Sequence, residues 1–222
     1  MRITPADAAD FIRANTAIAS PPLLPEIRLH LATMVTPLWQ ATEASLAEQG
    51  LPPPYWAFAW AGGQALARHV LDRPDCVRGR RVLDFGAGSG MVAIAAARAG
   101  AARIAAAEID HFACAAIGLN AALNDAAITI VEEDMIDRAL RADVVLVGDM
   151  CYERPLAERL VRWLRAAAGR GVTVGGDRVV QPPFLFFGPF LFLGIIFILV
   201  VREFRAYRRR AWLRSAGYPP YL

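Results

Sequence analysis

The chain has 222 residues, enough for one domain with a full core. Its formal net charge is only +3, arginine and acid are interleaved through its first 180 residues, and no basic stripe with interleaved aromatic residues appears there, which argues against nucleic acid as a partner. Cys76, Cys114 and Cys151 are far apart, odd in number and form no CxxC pair, which argues against a disulfide framework or a zinc site and for a reducing, cytoplasmic compartment.

Thr4-Pro5 reads as an N-cap followed by proline at the first helical position, opening a helix to about Asn15. Asp7 and Asp10 within it do not suit a secretory signal. Pro21, Pro22 and Pro25 form a rigid break, followed by an amphipathic segment around Ile27, Leu29, Leu31 and Val35 that the pattern leaves open between helix and strand. Thr36-Pro37 repeats the cap-plus-proline signal and predicts a helix to near Gly50. Pro52-Pro53-Pro54 then leads into the aromatic run Tyr55-Trp56-Ala57-Phe58-Ala59-Trp60, followed by Gly62-Gly63 and a helix over about 64–71.

From Arg81 onward strands and helices alternate. Strands are predicted at 81–85, 103–107, 127–131, 143–148 and 172–175, and helices at 89–99, 111–123 and 154–168. Gly100 and Gly169 stand where helix C-caps belong. Near-continuous apolar strands alternating with helices imply an α/β, Rossmann-like, doubly wound and mostly parallel sheet covered on both faces. The expected plan is an N-terminal helical and aromatic extension over 1–60, a core over 61–178, and an apolar segment with an Arg-rich tail over 179–222. Ligands of such sheets bind outside the carboxyl ends of the strands, beside the first core strand.

That strand runs into Asp84-Phe85-Gly86-Ala87-Gly88-Ser89-Gly90. Three glycines at alternate positions permit backbone angles closed to other residues and let the chain lie flush against a ligand. The helix that follows offers free N–H groups. The dinucleotide frame G-x-G-x-x-G fits only when forced, whereas D-x-G-x-G-x-G fits directly. The latter resembles the cofactor loop of class I methyltransferases that use S-adenosyl-L-methionine (SAM). An acid at the strand end, Asp84, suits a ligand carrying an ammonium and a sulfonium better than a pyrophosphate.

Glu108 ends the second core strand, about the distance from the glycine turn at which a carboxylate accepts the two hydroxyls of a ribose. It is otherwise a solvated acid, and Asp110 beside it is expected to cap the next helix. Asp134, in Glu132-Glu133-Asp134, is placed to accept from an adenine amine, with Glu133 as its substitute, unless the three acids are simply a solvated loop. Asp149 and Tyr152 follow the fourth core strand at the same sheet edge. Together they can orient the lone pair of an amine by hydrogen bonds. Alternatively, Asp149 N-caps the 154–168 helix. Trp56, Phe58 and Trp60 either pack or wall a cation, Trp60 lining the cofactor. No Cys–His nucleophile pair involving Cys151 is supported.

Several further stretches are more specific: Pro25-Glu26-Ile27-Arg28-Leu29-His30-Leu31-Ala32, Thr36-Pro37-Leu38-Trp39, Tyr55 through Leu66, and Gly148-Asp149-Met150-Cys151-Tyr152. Over roughly residues 8 to 178 the chain is similar to the electron transfer flavoprotein β-subunit lysine methyltransferase family, related to the ribosomal protein L11 methyltransferases. The resemblance implies a seven-strand methyltransferase fold, SAM as cofactor, and transfer of methyl groups to lysines of a flavoprotein subunit. Asp149 and Tyr152 would match a D-x-x-Y element of the lysine pocket, and Ala61 stands where the family pattern has proline. Two alternatives are a methyltransferase of a small amine or ribosomal protein, and an inactive or membrane-tethered SAM-binding protein.

Beyond Arg178 the resemblance stops. In place of the β-hairpin that closes this fold, residues 184–201 are uninterrupted apolar sequence followed by Arg202, Arg205 and Arg208-Arg209-Arg210. Eighteen residues reach the lower limit for a bilayer span. The expectations are a membrane span, an interfacial anchor bent at Gly188-Pro189, or a tail produced by a shifted reading frame. A span would keep the arginines cytoplasmic and export the preceding domain, away from its cofactor.

Overall fold

A computed structural model describes residues 5–34, 36, 38 and 52–176. The helix expected from Thr36 to Gly50 and everything predicted for 177–222, including the closing hairpin and the apolar segment, lie outside the described residues. Contacts divide the chain into the compact unit Met1–Gln181 and a second unit, Pro182–Leu222.

The chain opens with helix α1 (Pro5–Asn15), then strands β1 (Ala17–Ala19) and β2 (Leu29–Leu31), which pair antiparallel with Ile18 opposite His30. The open segment around Leu29 is therefore a strand, and the extension is a helix plus a two-stranded ribbon rather than helical throughout. Strand wins because Leu29, His30 and Leu31 are all buried. A segment covered on both sides has no amphipathic signature for a sequence pattern to reveal.

Helix α2 (Ala61–Asp72) begins three residues earlier than the sequence suggests and precedes the alternating core: β3 (Arg81–Phe85), α3 (Met91–Arg98), β4 (Arg103–Ala107), α4 (His111–Leu123), β5 (Thr129–Val131), β6 (Val144–Val147), α5 (Arg154–Ala168) and β7 (Thr173–Gly176). The five core strands are ordered β5-β4-β3-β6-β7, and every neighbouring pair is parallel. The first helix, the first two core strands and the last two helices match their predicted bounds; the remaining core elements differ at their ends. Five of the seven strands of the expected fold are thus seen among the described residues.

Period-two alternation along the central strands explains the two buried faces. Val82, Val144 and Leu146 point into a core shared with α2 and α3, while Leu83, Phe85 and Val145 point into one shared with Leu160 and Trp163 of α5. The same alternation puts Asp84 beneath α3, on the face of Val82. A third cluster joins Ala8 and Ile12 of α1 and the buried Trp56 to Phe112, Ala113 and Ala116 of α4.

Two asparagines bind the extension to the core. Fully buried Asn120 accepts the His30 N–H at 2.8 Å and donates to the Ser89 carbonyl at 2.9 Å. Asn124 accepts the Arg28 N–H at 3.1 Å and donates to the Arg28 and Asn120 carbonyls. The His30 N–H of β2 and the backbone of the adjoining Arg28 are thereby satisfied by a side chain of α4 and by its C-cap residue.

Candidate active site

The strand order reverses direction at β3, between β4 and β6, so a crevice opens at the carboxyl ends of these strands. The glycine loop stands there. Gly86, Gly88 and Gly90 all take left-handed backbone angles, with φ of 63°, 51° and 77°, which an L-residue with a Cβ reaches only at a cost of about 1–2 kcal/mol each. A Cβ on Gly86 would also collide with the Met150 side chain, and one on Gly88 would lie 3.9 Å from the Trp56 Cα. The loop is thus pressed between the aromatic segment and the segment after β6.

Two acids serve this loop. Glu108, beyond the end of β4, is not merely solvated: Oε2 accepts the Gly88 N–H at 3.0 Å, while Oε1 accepts Ile109 N–H at 2.7 Å and Asp110 N–H at 3.3 Å. Asp84 is 2% exposed, and its Oδ2 accepts the Ala93 N–H at 2.9 Å, tying the strand end to the second residue pair of α3. Burial pushes this carboxyl up to about 7, the Ala93 N–H offsets part of the rise, and the nearby Glu108 charge adds to it. Asp110 caps α4 as expected, accepting the Phe112 N–H at 2.9 Å.

Asp149 does not cap the 154–168 helix; Glu153 holds that position. It reaches instead to the start of α2, where Oδ1 accepts the Gly62 N–H at 3.1 Å and Oδ2 the Gly63 N–H at 2.5 Å. Helix N-termini leave such N–H groups unpaired and favour an anionic partner. Glycine is what allows the approach: a Cβ on Gly148 would lie 3.1 Å from the Gly63 Cα, and one on Gly62 would overlap the Asp149 carboxylate. Each oxygen of Asp149 retains a second lone pair for an incoming donor.

The aromatic run divides. Trp56 is 2% exposed and packs on α4, so it does not wall the site. Trp60 is the N-cap residue of α2 and exposed, with its indole N–H donating to the Tyr55 carbonyl at 2.9 Å. Tyr152 is exposed beside Tyr55, with ring centroids 6.3 Å apart. Partial desolvation holds its phenol above the ordinary value, with Glu153, Tyr55 and Glu108 acting in the same direction. Asp134 turns toward its own loop and α5, accepting the Ile136 N–H at 2.9 Å and pairing with Arg159 at 3.3 Å.

The loop glycines, Glu108, Asp149, Trp60 and Tyr152 thus gather at one sheet edge. Sequence reasoning missed Gly62-Gly63 as the partners of Asp149, Met150 as the wall of Gly86, and Asn120 as the strut of Ser89. Only the glycine pair left a signal, two flexible residues where a helix should begin.

A family model described as ribosomal protein L11 methyltransferase (PrmA) matches residues 65–150. An electron transfer flavoprotein beta subunit lysine methyltransferase homolog from Caenorhabditis elegans is 37% identical over 174 residues, covering 71% of this chain and 70% of that protein. The chain belongs to this family. The Xenopus laevis member is 43% identical over 77% of this chain and 67% of its own length. The Homo sapiens member is 43% identical over 70% of this chain and 59% of its own length. Among solved structures, a ribosomal protein L11 methylase from Lactobacillus delbrueckii subsp. bulgaricus is 25% identical with a TM-score of 0.42, covering 52% of this chain and 56% of that one.

As a member of the flavoprotein-subunit lysine methyltransferase family, the chain is a SAM-dependent methyltransferase. Its residues fit that cofactor. The loop carries no Cβ at three alternate positions, the Glu108 carboxylate stands against its Gly88 N–H, and the buried Asp84 anchors the strand end beneath it. None of the described helices is long and apolar enough to cross a membrane.

Proposed function

We propose that the chain methylates a lysine of a protein, the electron transfer flavoprotein β subunit, with Asp149 and Tyr152 orienting the acceptor amine. The observation that carries this reading is the pinning of Asp149 between β6 and α2 by Gly62 and Gly63, which fixes a carboxylate at the mouth of the cofactor crevice. The substrate itself is the one for which the relatives at 37% and 43% identity are named.

SAM, when bound, supplies an electrophilic methyl group. An exposed lysine, with a pKa of about 10.4, is almost wholly protonated at neutral pH and has no lone pair to offer. Partial burial beneath the aromatic rim favours the neutral amine. The carboxylate of Asp149 opposes that shift, so its role is positioning: it accepts an amine N–H and turns the lone pair toward the methyl carbon. Tyr152 supplies the second polar contact. The nitrogen–carbon bond would form as the methyl–sulfonium bond breaks, with S-adenosylhomocysteine as the leaving group and a proton of the resulting methylammonium passing to solvent.

On the cofactor side, Gly86, Gly88 and Gly90 are assigned the backbone cradle, and Glu108 the ribose hydroxyls, exchanging its bond to Gly88 for the ligand. Asp84 is assigned the positive amino-acid end of the cofactor, acting through the loop it anchors. Trp60 flanks the sulfonium and Asp134 the adenine amine, which requires Asp134 to release Arg159.

Incubation with isotopically labelled SAM and purified flavoprotein β subunit, followed by peptide mass spectrometry, tests the reading. Label confined to lysine is expected. Label absent from the subunit but present on ribosomal protein or a free amine would replace the substrate; label absent from every acceptor would remove the activity.

A further inference from the structure

Three large aromatic side chains stand in solvent beside Asp149. Tyr55, Trp60 and Tyr152 are 54%, 49% and 60% exposed. Tyr55 is the member common to both contacts, with its ring centroid 6.2 Å from that of Trp60 and 6.3 Å from that of Tyr152. Isolated exposed aromatics are ordinary, but mutually touching ones at the mouth of a site mark a surface built for contact.

The trio is held rigidly for an exposed group. Tyr55 starts a 3-10 turn, Tyr55–Ala57, whose next residue, Trp56, is buried against α4 and the glycine loop. The Tyr55 carbonyl accepts the Trp60 indole N–H, and Trp60 in turn begins the helix whose first N–H groups hold Asp149. Tyr152 lies three residues beyond Asp149 on the same excursion from β6. The surroundings are acidic: Glu153 and Glu108 both act on the Tyr152 phenol, and Asp149 stands at the base. Aromatic faces next to carboxylates attract a cation carried on an apolar stem.

We propose that Tyr55 is a specificity-determining residue, whose ring completes with Trp60 and Tyr152 an aromatic collar that receives the stem and ammonium of a protein lysine on its way to Asp149. The proposal rests on the lysine-methyltransferase reading above and goes beyond it by assigning the recognition step. Because Tyr55 bonds through its carbonyl, its ring alone does the recognising. The hydroxyl is dispensable.

Two measurements on the full chain test this, using Tyr55→Phe and Tyr55→Ala. In steady-state methylation of the flavoprotein β subunit at saturating SAM, Tyr55→Ala is expected to raise KM for the subunit about tenfold, with kcat and SAM affinity within twofold of wild type and Tyr55→Phe restoring KM. Separately, NMR titration of the S-adenosylhomocysteine-loaded protein compares choline with its uncharged carbon isostere, dimethylbutanol. Wild type and Tyr55→Phe are expected to prefer choline, and Tyr55→Ala to bind the two alike. An unchanged KM in Tyr55→Ala, a Tyr55→Phe variant as impaired as Tyr55→Ala, or a wild type without cation preference overturns the proposal. A wild type that prefers choline yet leaves the flavoprotein unmethylated overturns the substrate reading and supports the cation-recognising role of Tyr55.

Discussion

Asp149 adopts φ of 54°, a left-handed conformation that costs a non-glycine residue about 1–2 kcal/mol. Two N–H bonds from the start of α2 offset that strain and leave the carboxylate facing the crevice. Asparagine tolerates the same backbone angle and keeps one acceptor oxygen, so Asp149→Asn separates charge from fold. The expected outcome is a roughly hundredfold lower kcat, from loss of a charged positioning contact worth about 2–3 kcal/mol, with SAM affinity within threefold. A kcat near wild type would show that the charge is not used.

Asp84 presents the opposite case, an acid whose ionisation the fold resists. Its folded value of about 7 lies above the unfolded value of about 3.9. The stability linked to this group is therefore fully present below about pH 4 and is lost as pH rises through about 7. Asn holds the Ala93 N–H without ionising. Measured by denaturant unfolding, the stability advantage of Asp84→Asn over wild type is expected to widen between about pH 4 and pH 7, by at most about 4 kcal/mol, and then level off. A difference independent of pH would contradict the burial argument. Because the cofactor's positive end favours the ionised acid, the same variant is expected to bind SAM more weakly at pH 8, read by calorimetry.

Among elements, the end of β6 meets the start of α2 through three glycines, Gly62, Gly63 and Gly148. A methyl group on Gly148 meets the Gly63 backbone at 3.1 and 3.3 Å, and backbone cannot swing aside as a side chain can. Gly148→Ala is expected to lower stability by about 1–3 kcal/mol and to reduce turnover more than SAM binding, because it displaces Asp149 and not the glycine loop. Thermal unfolding together with a kcat measurement checks both halves; an unperturbed Tm would mean that the two elements separate easily.

What the sequence revealed at this level follows from periodicity. The strands at 81–85 and 103–107 and the helices at 111–123 and 154–168 carry apolar patterns long enough to place. Strand Leu29–Leu31, buried at all three positions, carries none. Asp149 stood out in the sequence as a candidate acid but not as the partner of Gly62 and Gly63, 87 and 86 positions away. Asn120 was invisible for the same reason: a buried asparagine matters through what its amide meets in three dimensions, and it joins a strand from the extension to the cofactor loop.

At the scale of the whole molecule, the extension and the core share one purpose. Helix α1, the β1–β2 ribbon and the aromatic run pack on α4 and on the glycine loop, so the surface that would receive a protein substrate is continuous with the surface that would hold the methyl donor. The fold class was readable from alternation and the glycine spacing alone, because both are local. The proposed substrate rests on resemblance alone, since one acid and a few aromatics do not distinguish one protein's lysine from another's.

The account depends on SAM occupying the crevice lined by Gly86, Gly88 and Gly90. Isothermal titration of SAM into the full chain and into Gly88→Val tests this directly, because valine at φ of 51° is both strained and obstructive. The expected result is saturable one-to-one binding to the wild-type chain and loss of that binding in the variant, with circular dichroism showing both folded. Equal binding by a folded Gly88→Val variant, or no binding by the wild-type chain, would contradict it.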